Sequence, residues 1–269
     1  MSRRRSLVAA FTLCVLPLAR ASVAVVGPLA HEYTVQIGES YEGLLELQNT
    51  TQEPQEVRIY QSDYFFYADG RILYGEPGEL PRSNARWITV APAELKIPGG
   101  ETALVRYTIQ VPDDELLEGS YWSILMVEPT IQPAARAGEG EPARPALAIQ
   151  QLLRYAVQVV TQIGSSGATE LRFAALQLAA QEGRRLLLVD VENPGETWYR
   201  ATVWAELYDA EGRYVGTFEG GAFRLYPGTS VRYTVELAGV QKGTYKALIV
   251  ADCGGDDVFG ANVNLLLKQ

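Results

Sequence analysis

Ile97-Pro98-Gly99-Gly100-Glu101-Thr102-Ala103-Leu104-Val105-Arg106-Tyr107-Thr108 sets a Pro-Gly-Gly turn ahead of a segment that alternates apolar and polar residues through Val111. The same order returns at Tyr226-Pro227-Gly228-Thr229-Ser230-Val231-Arg232-Tyr233-Thr234. Strand side chains point alternately to opposite faces, so a period of two marks a strand with one buried face. Each copy is followed by a Gly-Ser/Thr-Tyr lead into an apolar strand, at Gly119-Ser120-Tyr121-Trp122 and Gly243-Thr244-Tyr245-Lys246. Further back, Leu47-Gln48-Asn49 and Val191-Glu192-Asn193 both end a strand at Asn before a polar turn. An internal repeat at this spacing means one architecture used twice.

From Asn49 to Val105 is 56 positions and from Asn193 to Val231 is 38, so the first copy carries 18 more. The Tyr-rich hairpin around residues 62–86 is where they fit. Turn formers such as Ala68-Asp69-Gly70-Arg71 and Asn193-Pro194-Gly195 punctuate short strands, and no window sustains a 3.6-residue stripe. The fold class is therefore all-β, two immunoglobulin-like β-sandwich domains in tandem, each roughly 100 residues. The 15 Tyr and 4 Trp suit thin sandwich cores. The Tyr after each Gly-Ser/Thr, Tyr121 and Tyr245, stands where such folds tie a corner.

Residues 1–21 read as a signal peptide, with Met1 to Arg5 as a basic start, an apolar run from Leu7 to Leu18, and Ala19-Arg20-Ala21 as the cleavage site. The alternative is an N-terminal core segment. The expected domains are 22–163 and 164–269, in a periplasmic or secreted protein. Cys14 leaves with the signal, so Cys253 stays alone and no internal disulfide can form.

Charge narrows the partners. Lys plus Arg is 23 against Asp plus Glu at 32, a net charge of −9, and the four cations before residue 22 leave with the signal. Such a surface repels polyanions, which argues against nucleic acid. No apolar run reaches 18 residues, so no stable membrane insertion is expected after signal cleavage. One His and two Cys leave little for acid–base, thiol or metal chemistry, so no enzyme activity and no cofactor is expected.

The junction between the copies carries the most information. Residues 131–145 (IQPAARAGEGEPARP) read as a mobile loop. Beyond it, Leu147, Ile149, Leu153, Tyr155, Val157, Val159 and Ile163 share one face of a continuous strand, interrupted by Gln151 and Thr161. Seventeen residues span roughly 56 Å at about 3.3 Å each, longer than a sandwich strand needs. Either this is a last strand running into an interdomain link, or its apolar face is kept for a partner strand added at the sheet edge.

Trp87-Ile88-Thr89-Val90-Ala91-Pro92, Pro98-Gly99, Pro112-Asp113 leading to Tyr121-Trp122, and Glu128-Pro129 resemble, in order, the first domain of the PapD-like periplasmic pilus-assembly chaperones. The resemblance covers roughly residues 44–163, with a second immunoglobulin-like domain behind it. It implies that alternating apolar residues of the long strand enter the open groove of a fibre subunit, while cleft cations hold the subunit's terminal carboxylate. On that reading Leu147, Ile149, Leu153, Tyr155 and Val157 are donated, and Arg154 stands near the family's cleft lysine. Residues 23–37 hold no Arg or Lys where the family has a cleft arginine, and His31 is the nearest substitute. The expected partner is an exported β-rich subunit of fibre or pilus type. The competing reading is a structural or adhesive two-domain envelope protein without chaperone activity.

The other candidates have plainer explanations. His31 lacks a nucleophile in any motif and reads as an idle surface residue. Asp252, Asp256 and Asp257 do not fit a twelve-residue calcium loop and read as a solvated hairpin. Cys253 reads as a buried small hydrophobe. Asn49-Thr50-Thr51 is a glycosylation sequon by letter. Tyr64-Phe65-Phe66-Tyr67 reads as a buried strand rather than an exposed aromatic tip.

Overall fold

A computed structural model describes residues 22–130 and 152–268. The first sandwich is built from β1 (Val23–Val26), β2 (Ala30–Val35), β3 (Ser40–Asn49), β4 (Gln55–Phe66), β5 (Ile72–Gly75), β6 (Ile88–Ala91), β7 (Glu94–Ile97), β8 (Thr102–Gln110), β9 (Gly119–Pro129) and β10 (Tyr155–Ile163). The second comprises β11 (Arg172–Gln181), β12 (Arg184–Glu192), β13 (Tyr199–Tyr208), β14 (Tyr214–Leu225), β15 (Ser230–Glu236), β16 (Gly243–Asp252) and β17 (Val258–Leu267). The proposed signal peptide, the 131–145 loop, Leu147, Ile149 and Gln151 lie outside the described residues.

In the first sandwich one sheet runs β1-β3-β8-β6 and the other β2-β10-β9-β4-β5, with β7 also on β4. The N-terminal chain serves both. β1 pairs antiparallel with β3, and β2 pairs parallel with β10. The crossing between the sheets is made at Gly27-Pro28, where Gly27 takes φ of +98°, a backbone setting that a side chain disfavours. Between the sheets, Leu45, Leu47, Ile59, Val105, Tyr107, Leu125 and Val159 form one buried core.

The second sandwich packs β11-β12-β15 against β14-β13-β16-β17 around Leu187, Val203, Leu207, Tyr233 and Ile249. The repeat is visible in its chemistry. Asn49 and Asn193 are both fully buried and spend their side-chain amides on neighbouring carbonyls. Asn49 Nδ2 donates to Glu53 O at 2.8 Å and Ile97 O at 3.0 Å, and Asn193 Nδ2 to Thr197 O at 2.8 Å and Leu225 O at 3.1 Å. A buried amide so committed is a strand tie, which rules out the sequon reading of Asn49. Tyr245 ties its corner through a hydrogen bond from its hydroxyl to Gln241 O at 3.0 Å. Tyr121 departs from the expectation: its ring lies beside Trp87 and under the Arg82 guanidinium.

The two sandwiches meet through aromatic packing. Phe65, Trp122 and Val160 of the first surround Tyr226 of the second, with Phe66, Tyr67 and Trp198 at the margin. Thus the Tyr64-Phe65-Phe66-Tyr67 run is used at the domain contact, with Phe65 buried and its neighbours half-buried. Ser120 N donates to Glu196 O at 2.7 Å, and a Cβ on Gly119 would meet that oxygen at 2.2 Å. Only glycine permits so close a backbone approach.

Candidate functional site

β10 begins at Tyr155, so the described part of the long strand is nine residues. It pairs with β9 over its whole length, from Tyr155 opposite Val127 to Ile163 opposite Gly119. Its other edge is covered by β2 only from Gln158 to Ile163, with Gln158 N donating to Leu29 O at 2.9 Å. Among the described residues no strand covers the edge of Tyr155-Ala156-Val157. An uncovered edge presents unpaired backbone donors and acceptors, the template for strand addition.

The apolar face of the same stretch leaves its own core at that point. Val157 and Val159 are 0% exposed inside the first-domain core, Tyr155 is half-buried at its margin, and Leu153 is 43% exposed. Val157 is therefore already committed to its own sandwich and has no side chain to lend. Leu153 and Tyr155 sit where the core ends.

Arg154 does not occupy the cleft. It lies four residues upstream of Gln158, about 13 Å along an extended strand, and faces Glu128 at 3.7 Å beside a hollow lined by Tyr60, Ser62, Tyr74 and Met126. The cleft position on β10 belongs to Gln158, whose Oε1 accepts from Tyr226 Oη at 2.6 Å. On β2 the cleft-facing residue is an acid, Glu32, and the second domain supplies the cation: Arg224 Nε donates to Glu32 Oε1 at 2.6 Å. A hollow of about 430 Å³ opens here between Tyr64, Phe66, Gln158, Phe223, Arg224 and Arg232. Arg232 holds Asp190 bidentately at 2.6 and 2.7 Å. Arg224 and Arg232 were not legible as site residues, because Arg232 reads first as part of the repeated Val-Arg-Tyr-Thr strand and Arg224 lies in no motif.

His31 points inward rather than idling at the surface. Its Nδ1 and the Tyr107 hydroxyl form a short hydrogen bond, and Tyr107 Oη lies 3.3 Å from Tyr33 Oη. Burial holds the imidazole below its ordinary value of 6.5, opposed by a hydrogen bond to the Pro28 backbone. A histidine whose folded value is depressed binds fewer protons folded than unfolded, so its share of stability is present above 6.5 and is lost as pH falls through that value. Urea melts at about pH 7.5 and about pH 5.5 should show the wild type losing more stability on acidification than His31→Asn. Equal losses would show that this imidazole is not buried as described.

The remaining candidates are structural. Asp252 Oδ1 accepts from Gly254 N at 2.8 Å and shapes the hairpin turn. Cys253 packs against the second core, and burial together with Asp257 and Asp252 pushes its thiol up to about 12. A thiol so raised stays protonated and unreactive at neutral pH.

No protein-family model matches the chain, and no curated protein matches it. Solved structures similar to it include a chain from the chaperone–tip adhesin complex of CFA/I fimbriae biogenesis, at 12% identity over 90% of this chain and 98% of that one, with a TM-score of 0.48. A chain of the CsuC–CsuE chaperone–tip adhesion subunit complex of Acinetobacter baumannii Csu pili shares 15% identity over 89% and 98%, with a TM-score of 0.45. The E. coli chaperone DraB shares 14% over 90% and 98%, with a TM-score of 0.43. At these identities and TM-scores, the functional reading rests on the chain's own residues.

Proposed function

We propose that the chain is an exported, non-enzymatic chaperone-like protein that holds a β-rich fibre subunit by strand addition at the start of β10. The observation that carries this reading is the partial cover of β10: β2 stops at Gln158, and the apolar face continues past the point where its own core ends. A partner strand laid along Tyr155-Ala156-Val157 would gain main-chain hydrogen bonds, while Leu153 and Tyr155, with Leu147 and Ile149 upstream, would enter its groove.

The subunit's terminal carboxylate would then meet Arg224 and Arg232 in the interdomain hollow, in place of Arg154 or His31. A guanidinium offers five N–H donors, so one Arg can serve Glu32 and a second carboxylate together. Co-purification of the exported chain from its own host's periplasm tests this. A small β-rich protein should come with the wild type, and Arg224→Gln with Arg232→Gln should weaken its capture about tenfold or more, the loss of one or two charged hydrogen bonds. The ion pairs removed are partly exposed, so melting should change little. Nothing recovered with the wild type would favour the structural or adhesive reading instead.

A further inference from the structure

β10 and β17 are the last strands of their sandwiches, each antiparallel to its predecessor, yet their outer edges differ. β2 covers most of β10, whereas among the described residues no strand pairs with the outer edge of β17. Val258-Phe259-Gly260-Ala261-Asn262-Val263-Asn264-Leu265-Leu266-Leu267 contains no charge and no Pro. Open edges are normally kept apart by charges, proline, bulges or short length. β17 is ten residues long and pairs with β16 without a bulge, so it has none of these protections.

We propose that β17 is a dimerisation edge, pairing antiparallel with β17 of a second copy about a twofold axis at Asn262. Several features of the strand fit its own copy in that register. Val258 and Leu266, 56% and 54% exposed, would lie opposite one another twice, covering four exposed apolar side chains. Asn262 would face itself, where each side-chain amide can donate to the other's carbonyl. Just beyond the strand, exposed Lys268 would stand opposite the partner subunit's Asp256, with Asp257 adjacent. A parallel arrangement would instead set Lys268 beside Lys268 and Asp256 beside Asp256. Two chains of net charge −9 repel over most of their surface, and this neutral strand with opposite charges at its two ends is where they can approach. The pairing is isologous and closed, so it ends at two copies.

Sedimentation equilibrium of the purified chain at micromolar concentrations tests the proposal. The wild type should sediment at twice the monomer mass. Asn262→Lys, which sets two like charges face to face on the axis, should sediment as a monomer with the circular dichroism of the wild type, because Asn262 is exposed. Lys268→Glu should shift the equilibrium toward monomer, and adding Asp256→Lys should restore the dimer. Were Asn262→Lys to misfold, the charge-swap pair decides alone. A wild type that stays monomeric throughout, or a dimer that ignores both Asn262→Lys and the swap, would overturn the assignment. Subunit capture at β10 should be unaffected by Asn262→Lys, so failure here and failure of the capture reading remain distinct.

Discussion

Trp122→Ala is expected to lower stability by about 3–5 kcal/mol and to split one thermal transition into two. Trp122 is 2% exposed, and its indole serves both domains at once. Its Nε1 donates to Tyr64 O at 2.9 Å, its ring stacks on Tyr226 of the second domain at 5.1 Å and 18°, and Phe65 lies 5.0 Å away on the first. Removing it loses the transfer free energy of a large aromatic and opens a cavity that rigid strands cannot collapse into. It also leaves the Tyr64 carbonyl without its side-chain donor. The ion pairs that remain between the domains, such as Arg82 to Glu196 at 2.9 Å and Arg224 to Glu32 at 2.6 Å, are partly exposed and contribute little each, and hydrogen bonds such as Ser120 N to Glu196 O contribute about 1 kcal/mol each. Each sandwich retains its own core, so the domains should then melt separately by differential scanning calorimetry. A single transition shifted by less than about 1 kcal/mol would show that the aromatic contact does not couple them.

The repeat was readable because the same residue types recur in the same order along the chain. Two buried Asn ties, two VRYT strands and two Gly-Ser/Thr-Tyr leads repeat by residue type, and the strand period exposes them in the sequence even though the Asn ties reach 48 and 32 positions along the chain. Tyr245 kept its corner role, while Tyr121 was diverted by Trp87 and Arg82, residues far away along the chain that no local pattern announces. The site was half legible. Alternation from Leu153 to Val159 looks the same whether a side chain meets its own core or another protein's. What separates Val157 from Leu153 is where the strand comes to lie over its own core: Val157 pairs with Leu125 of β9 and is buried, whereas Leu153 precedes the first paired residue, Tyr155. The cleft cations were hidden for a similar reason. Arg224 and Arg232 belong to the second domain, and the packing of Tyr226 against Trp122 sets Arg224 on Glu32 and brings both guanidinium groups to the hollow beside Gln158. His31 was misread because its partner, Tyr107, is 76 positions away.

That boundary between lent and kept side chains gives the second large effect. Val157→Asp and Leu153→Asp alter the same face of one strand, four residues apart, and should fail in opposite ways. Val157 is packed among the apolar residues of the first core, so an aspartate there must be buried charged or take up a proton. A loss above about 4 kcal/mol is expected, enough to unfold a domain of ordinary stability. Leu153 is largely in solvent, so its substitution should change stability by no more than about 0.5 kcal/mol. Yet if that side chain enters a subunit's groove, a carboxylate carried into the groove leaves a charge without water or partner, and capture should disappear. Urea melts and co-purification on the same two variants read both effects. Normal stability in Val157→Asp would mean that the strand is not held in its core as described. Undiminished capture by a well-folded Leu153→Asp would remove Leu153 from the donated set, and the same result with Tyr155→Asp added would remove strand donation at the open end of β10.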